Sequence, residues 1–201
     1  DDYRQASHLV MKCGLKSTYH RHDDDNGILL HSLGRDWLID SGLFLHEAED
    51  ERRVYVRSPV AHSVSMPEGA ATLRKPFGDP EAHWGIREDE KCEDRMVSTD
   101  PVPRNVASCF QLPADLDLVS CDDVGEVVFE DAEGRRLTIS KTAGAKTRLD
   151  VKCGQEGEER RGWTSPRYNV LEPCHHVRFR TIDAGESMEL GFDIRLETPG
   201  S

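Results

Sequence analysis

Apolar and polar residues alternate along most of this chain. The clearest run lies near its end, where Met188, Leu190, Phe192, Ile194 and Leu196 interleave with Glu189, Gly191, Asp193, Arg195 and Glu197. A period of two puts all five apolar side chains on one face of a strand. Shorter alternating segments predict further strands over residues 9–13, 28–33, 37–40, 107–112, 116–121, 126–130, 136–140, 147–153 and 177–181. Asp131-Ala132-Glu133-Gly134 reads as a hairpin turn, and Gly34-Arg35-Asp36 as another. No helical period stands out. Many short strands with closely spaced turns predict an all-β chain folded as an antiparallel β-sandwich.

The pattern breaks between residues 67 and 105. Pro67, Pro76, Pro80, Pro101 and Pro103 fall there among many charges. This segment is expected to be a long, irregular connection, with one short strand near 71–74. Residues 1–66 then form the first part of the sandwich and residues 106–201 its remaining strands. A connection of that length inside a domain is usually functional.

The 201 residues, 36% hydrophobic and 32% charged, suffice for one domain or for two small lobes sharing a sheet. No apolar run approaches the ~18 residues of a membrane span, so no transmembrane helix is expected. The chain opens on Asp1 with no visible signal peptide and reads as a mature or excised piece. The net charge of -12 argues against nucleic acid as a partner, because its binding depends on neutralising phosphates with Lys and Arg. It also disfavours a highly sulfated polyanion unless arginines cluster, for example Arg52, Arg53 and Arg57, or Arg160 and Arg161. Six cysteines, none in a C-x-x-C pair, make a zinc ribbon improbable. Cys13, Cys109, Cys121 and Cys153 fall on strand positions and are expected to be buried free thiols.

Metal-binding side chains concentrate in the first third of the chain. Tyr19-His20-Arg21-His22 is followed by Asp23, Asp24 and Asp25. Asp40 ends the apolar step Trp37-Leu38-Ile39, and His62 follows Arg57-Ser58-Pro59-Val60-Ala61. Imidazole nitrogen and carboxylate oxygen are ordinary zinc donors. On a strand, His20 and His22 would share a face, as two ligands of one ion or as one ligand beside a catalytic group. With a turn near Gly34, Asp40 is expected opposite Leu29 or Leu30. The 23–27 turn would then fold back to bring His22 close, and His62 would arrive from the next strand. The same residues, as ordinary polar groups at strand ends, explain the spacing about equally well.

Other chemistries find less support. Asp23 to Asn26 offers oxygen ligands for calcium, but the EF-hand pattern fails at Ile28 and Gly34, where it needs glycine and glutamate. No G-x-S-x-G, G-x-G-x-x-G or P-loop exists. Nothing singles out a glycosidase pair among the 38 acidic residues.

Taken together, these segments resemble the C-terminal β-sandwich region of the heparinase II/III-like polysaccharide lyases and the related alginate lyases. The family's H-x-H-x-D is similar to His20-Arg21-His22-Asp23-Asp24. Its G-x-x-W-hydrophobic-hydrophobic-D-x-G strand is similar to Gly34-Arg35-Asp36-Trp37-Leu38-Ile39-Asp40-Ser41-Gly42, and its R-S-x-x-x-H to Arg57–His62. Arg161-Gly162-Trp163-Thr164-Ser165-Pro166-Arg167-Tyr168 resembles the G-W-x-S-x-x-Y stretch near the family's end. The family's L-S-F and H-N-T are replaced by Asn26-Gly27-Ile28-Leu29 and His62-Ser63-Val64.

The resemblance implies a supersandwich-like fold and a structural zinc held by His22, Asp40 and His62. It implies that His20 faces the substrate as the catalytic residue, with Arg57 contacting the sugar acid. The implied reaction is β-elimination on an acidic, uronic-acid-containing polysaccharide, in the periplasm, at the cell envelope or outside the cell. The family's α-helical toroid, which precedes the sandwich, forms the opposite cleft wall and contributes a tyrosine, is absent from this chain. Tyr19, Tyr55 and Tyr168 do not replace it by default. The competing readings are a non-catalytic carbohydrate-binding or scaffolding module, and a metal-dependent hydrolase in which the same ligands activate water.

Overall fold

A computed structural model describes residues 3–12, 22–47, 49–68, 105–183 and 189–200. Residues 69–104 of the expected irregular connection, its short strand near 71–74, and Cys13, Tyr19, His20 and Cys92 lie outside these residues; at the connection's start, Pro67 ends a strand. Two four-stranded antiparallel sheets dominate. One runs in the order β4 (Ser65–Pro67), β5 (Val106–Leu112), β12 (His175–Thr181), β9 (Thr147–Cys153). The other runs β13 (Leu190–Glu197), β8 (Arg136–Gly144), β7 (Glu126–Glu130), β6 (Asp117–Cys121). Phe110, Leu112, Leu149, Val177 and Phe179 from the first sheet meet Val127, Phe129, Leu137 and Ile139 from the second in one core. This is the β-sandwich expected from the alternation.

Two smaller sheets complete the chain. β1 (His8–Met11), β2 (Ile28–Ser32) and β3 (Arg35–Leu38) form a meander, and β10 (Trp163–Arg167) with β11 (Val170–Pro173) forms a hairpin. Trp37 and Leu38 of β3 enter the main core. Arg35 and Arg135 lie over the Trp37 ring at 5.0 and 6.0 Å, and both bond the buried Asp131 carboxylate. Arg135 also donates to the Leu33 carbonyl (2.7 Å), fastening the meander to the Asp131 turn.

The fold differs from the expected one in five places. The meander turns at Leu33-Gly34, both at positive φ, one residue before the expected Gly34-Arg35-Asp36 turn. A register shift follows, so Leu38 and not Asp40 stands opposite Leu30. A short helix, α1 (Glu51–Arg57), occupies a stretch with no apolar period, because its buried residues are Arg53, Tyr55 and Val56. Asp50 caps it by accepting from the backbone N–H of Arg52 and Arg53. Strands β4, β10 and β11 are additional to those expected. Finally, Cys121 and Cys153 are free thiols on strands but exposed, whereas Cys109 and Cys174 are free and buried. β6 and the end of β9 lie on solvent-facing positions, so strand membership there brings no burial.

β13 carries its apolar side chains as expected, with Phe192, Ile194 and Leu196 packed on the core from an edge position. On β12, His176 is fully buried. Burial first, then the charges of Arg161 and Arg178, push its pKa down to about 3, against the opposing pull of Asp150 and the Val60 carbonyl. A histidine kept neutral in the fold contributes stability that is fully present above pH 6.5 and is lost as pH falls toward 3. Stability should therefore drop by about 1.4 kcal/mol per pH unit below 6.5 from this residue alone. Denaturant melts at pH 7 and pH 5 check this, and His176→Gln should flatten the difference.

Candidate metal centre

The site grows from three backbone straps. Ile39 N–H donates to the Gln111 carbonyl (2.9 Å), which steers the chain from β3 onto β5 and leaves Asp40 just beyond. Ser63 bonds both sides of its surroundings. Its hydroxyl accepts from Gln111 N–H (2.9 Å), and its carbonyl accepts from Ile28 N–H (3.0 Å). This fixes His62 between β5 and the start of β2. Asp23 N–H donates to the Arg57 carbonyl (2.9 Å), tying the segment that carries His22 to the end of α1.

His22, Asp40 and His62 thereby converge. One ligand atom from each lies within 4.8 Å of the others. The His22 and His62 rings stand 5.3 Å apart, centroid to centroid. The route differs from the strand-borne arrangement expected. His22 lies outside regular structure, and His62 follows a 3-10 turn, Pro59–Ala61, instead of a strand. The convergence survives because helix α1 and that turn return the chain to the same place.

Asp40 and His62 orient one another. His62 is buried, and its Nδ1 lies 2.6 Å from Asp40 Oδ1. Burial raises the Asp40 pKa, but the hydrogen bond and charge of His62, the Gly42 N–H and His22 outweigh it and hold the carboxyl below the usual carboxylate range. Asp40 is therefore an ionised acceptor facing His62 Nδ1, and Nε2 is the other His62 ring nitrogen, the one a metal would take. Ser41 Oγ donates to the Val56 carbonyl (2.8 Å) and sits 3.4 Å from His62 Nδ1, packing the ring in place. Burial, then the charges of His62 and Arg53, bring the His22 pKa down to about 3, so its imidazole is neutral at physiological pH. Two imidazoles and a carboxylate form a donor set suited to zinc.

Arg53, expected only as part of a candidate arginine cluster, contacts His22 directly. Its Nη1 donates to His22 Nε2 (3.0 Å) and to the Leu43 carbonyl (2.8 Å), from a residue only 2% exposed. A charged residue on a helix without apolar period leaves little sequence signal. Arg57, the expected sugar-acid contact, ends α1 half-buried beside His22, whose pKa its charge helps lower. His20 lies outside the described residues. Tyr55 is buried, with its hydroxyl between the Trp163 N–H (3.2 Å) and carbonyl (3.3 Å), and burial pushes its pKa up. That makes it a brace. Tyr168 is 57% exposed at the tip of the β10–β11 hairpin.

The loop after Asp40 is itself anchored. Ser165 N–H donates to the Ser41 carbonyl (2.7 Å), Thr164 Oγ1 to the Asp40 carbonyl (2.9 Å) and Asn169 N–H to the Phe44 carbonyl (2.7 Å). A cleft of about 250 Å³, with Val10, Leu30, Leu38 and Ile39 in its wall, opens beside Asp40.

Residues 3–70 match the family model described as Heparinase II/III-like, C-terminal. Over that third of its length the chain is similar to the heparinase II/III-like family. The match takes in every residue of the His22–Asp40–His62 cluster. Solved structures share the fold over nearly the whole chain. The heparan sulfate lyase HepC from Pedobacter heparinus aligns at a TM-score of 0.71 and 15% identity, covering 94% of this chain and 33% of its own. A heparinase III gene product with methylated lysines aligns at 0.67 and 14%, covering 95% and 32%. Another heparinase III aligns at 0.61 and 10%, covering 96% and 39%. Identities this low speak for the fold alone. The chain spans about a third of the length of these lyases. No curated protein matches it by sequence.

Proposed function

We propose that this chain is the metal-bearing β-sandwich of a polysaccharide lyase that cleaves uronic-acid-containing glycans by β-elimination. The observation that carries the reading is the convergence of His22, Asp40 and His62 from three separate segments. When bound there, a structural zinc would cross-link those segments and offset the Asp40 charge. On this reading the full-length protein carries an α-helical toroid that forms the facing cleft wall, and it works in the periplasm, at the cell envelope or outside the cell.

The chain's own residues then serve the elimination. The C5 proton of a uronic acid leaves more readily when its carboxylate is neutralised by a nearby positive or hydrogen-bonding group. On this reading Arg57 contacts that acid; its charge and that of Arg53 both act on His22. His20, two residues from His22, is assigned to the substrate-facing role of neutralising the carboxylate or relaying the proton.

The test is an ultraviolet assay of the full-length protein on a panel of sulfated and unsulfated uronic-acid polymers. A rise from the C4–C5 unsaturated product is expected on at least one polymer. His20→Ala should lower turnover about 100-fold or more while keeping the metal. New reducing ends without unsaturation would point to hydrolysis instead. Binding without turnover on every polymer would favour a non-catalytic carbohydrate-binding module.

A further inference from the structure

Arg53 presents a chemical conflict at the proposed cation site. A neutral imidazole has one lone pair. The 3.0 Å contact with Arg53 Nη1 uses the lone pair on His22 Nε2 and so places the ring proton on Nδ1. A metal bound through Nε2 needs the same lone pair. A metal bound through Nδ1 would leave Nε2–H facing a guanidinium that has only protons to offer. Either way, ligation of His22 and the Arg53 contact exclude one another. The guanidinium is always charged, and its residue is buried. It therefore stays close, as a second positive charge, when a divalent ion arrives. It also has somewhere to go, since the same Nη1 already donates to the Leu43 carbonyl at 2.8 Å.

We propose that Arg53 is a resident cation of this site: it occupies the His22 lone pair in the metal-free protein and is displaced onto the Leu43 carbonyl when zinc binds. The inference rests on the reading of His22, Asp40 and His62 as a zinc site, and it concerns the regulation of that site. Arg53 weakens zinc binding and steadies the metal-free form. Metal-free chain then keeps its three segments assembled, with a guanidinium in place of the ion, and takes up zinc by exchange.

Two measurements decide it. Zinc affinity is determined by competition with a chromophoric chelator for wild type, Arg53→Met and Arg53→Lys. Arg53→Met should bind zinc about tenfold tighter or better, equivalent to ~1.4 kcal/mol, and should melt lower than wild type in chelator. Arg53→Lys, which keeps the charge without the fork, should fall between them. Unchanged or weaker affinity in Arg53→Met overturns the proposal while leaving the zinc reading intact. No zinc binding by wild type removes the zinc reading itself, and the exchange with it. The second measurement needs no variant. Imidazole nitrogen NMR of metal-free wild type should find His22 protonated at Nδ1 with Nε2 accepting, and zinc should shift both the ring and Arg53 signals. A His22 protonated at Nε2 without metal would refute the exchange even if Arg53→Met failed to fold.

Discussion

Gly42→Ala should destabilise the chain by about 3 kcal/mol or more and disrupt the metal loop with it. Gly42 has φ +72, a left-handed conformation in which a β-carbon is strained. Space is the larger obstacle. An added Cβ would stand 2.1 Å from the Ser165 carbonyl oxygen. Backbone on both sides must separate to admit it, and that backbone carries the Gly42–Ser165 bridge and the Ser165 N–H bond to the Ser41 carbonyl. Asp40 and Ser41 would lose their anchor, so the cost reaches the site as well as the fold. For a chain of this size the melting temperature should fall by about 6–12 °C. Gly125, with negative φ and open space around its Cβ position, is the matched control, and Gly125→Ala should leave the melt nearly unchanged.

His62→Ala should be nearly as damaging and should abolish metal binding. The residue is 1% exposed, so its removal leaves a cavity among Ser41, Asp40 and His22. It also takes away the 2.6 Å bond that holds Asp40 in its orientation. Cavity and lost hydrogen bond together should cost about 2–3 kcal/mol without metal. With zinc present the loss should be greater, because ligand binding stabilises only a chain that can form the site. The gap between zinc-loaded and chelator-treated melts should close in the variant and stay open in wild type.

Much of the sandwich was legible because its strands obey period two. β7 and β9 fall where alternation places them, and β5 begins one residue earlier than expected. β8 runs on to Gly144, past the expected end, because the register shift at Gly191/Phe192 lets β13 keep pairing with it. Alternation could not signal β10 and β11, where burial is partial and irregular, or α1, where an arginine takes an inward position. The donor identities at the site were readable in His22, Asp40 and His62. Their supports were not. Ser41, Ser63 and Arg53 act through contacts that span 15 to 48 residues, a scale on which local pattern is silent.

Elemental analysis of the purified chain tests the central claim most directly, with wild type and His62→Ala prepared side by side. Wild type should carry about one zinc per chain, the stoichiometry of a single three-donor protein site, and His62→Ala none. A variant that keeps its zinc in full, or a wild type that holds none after zinc is supplied, would contradict the assignment of these three side chains to a common ion.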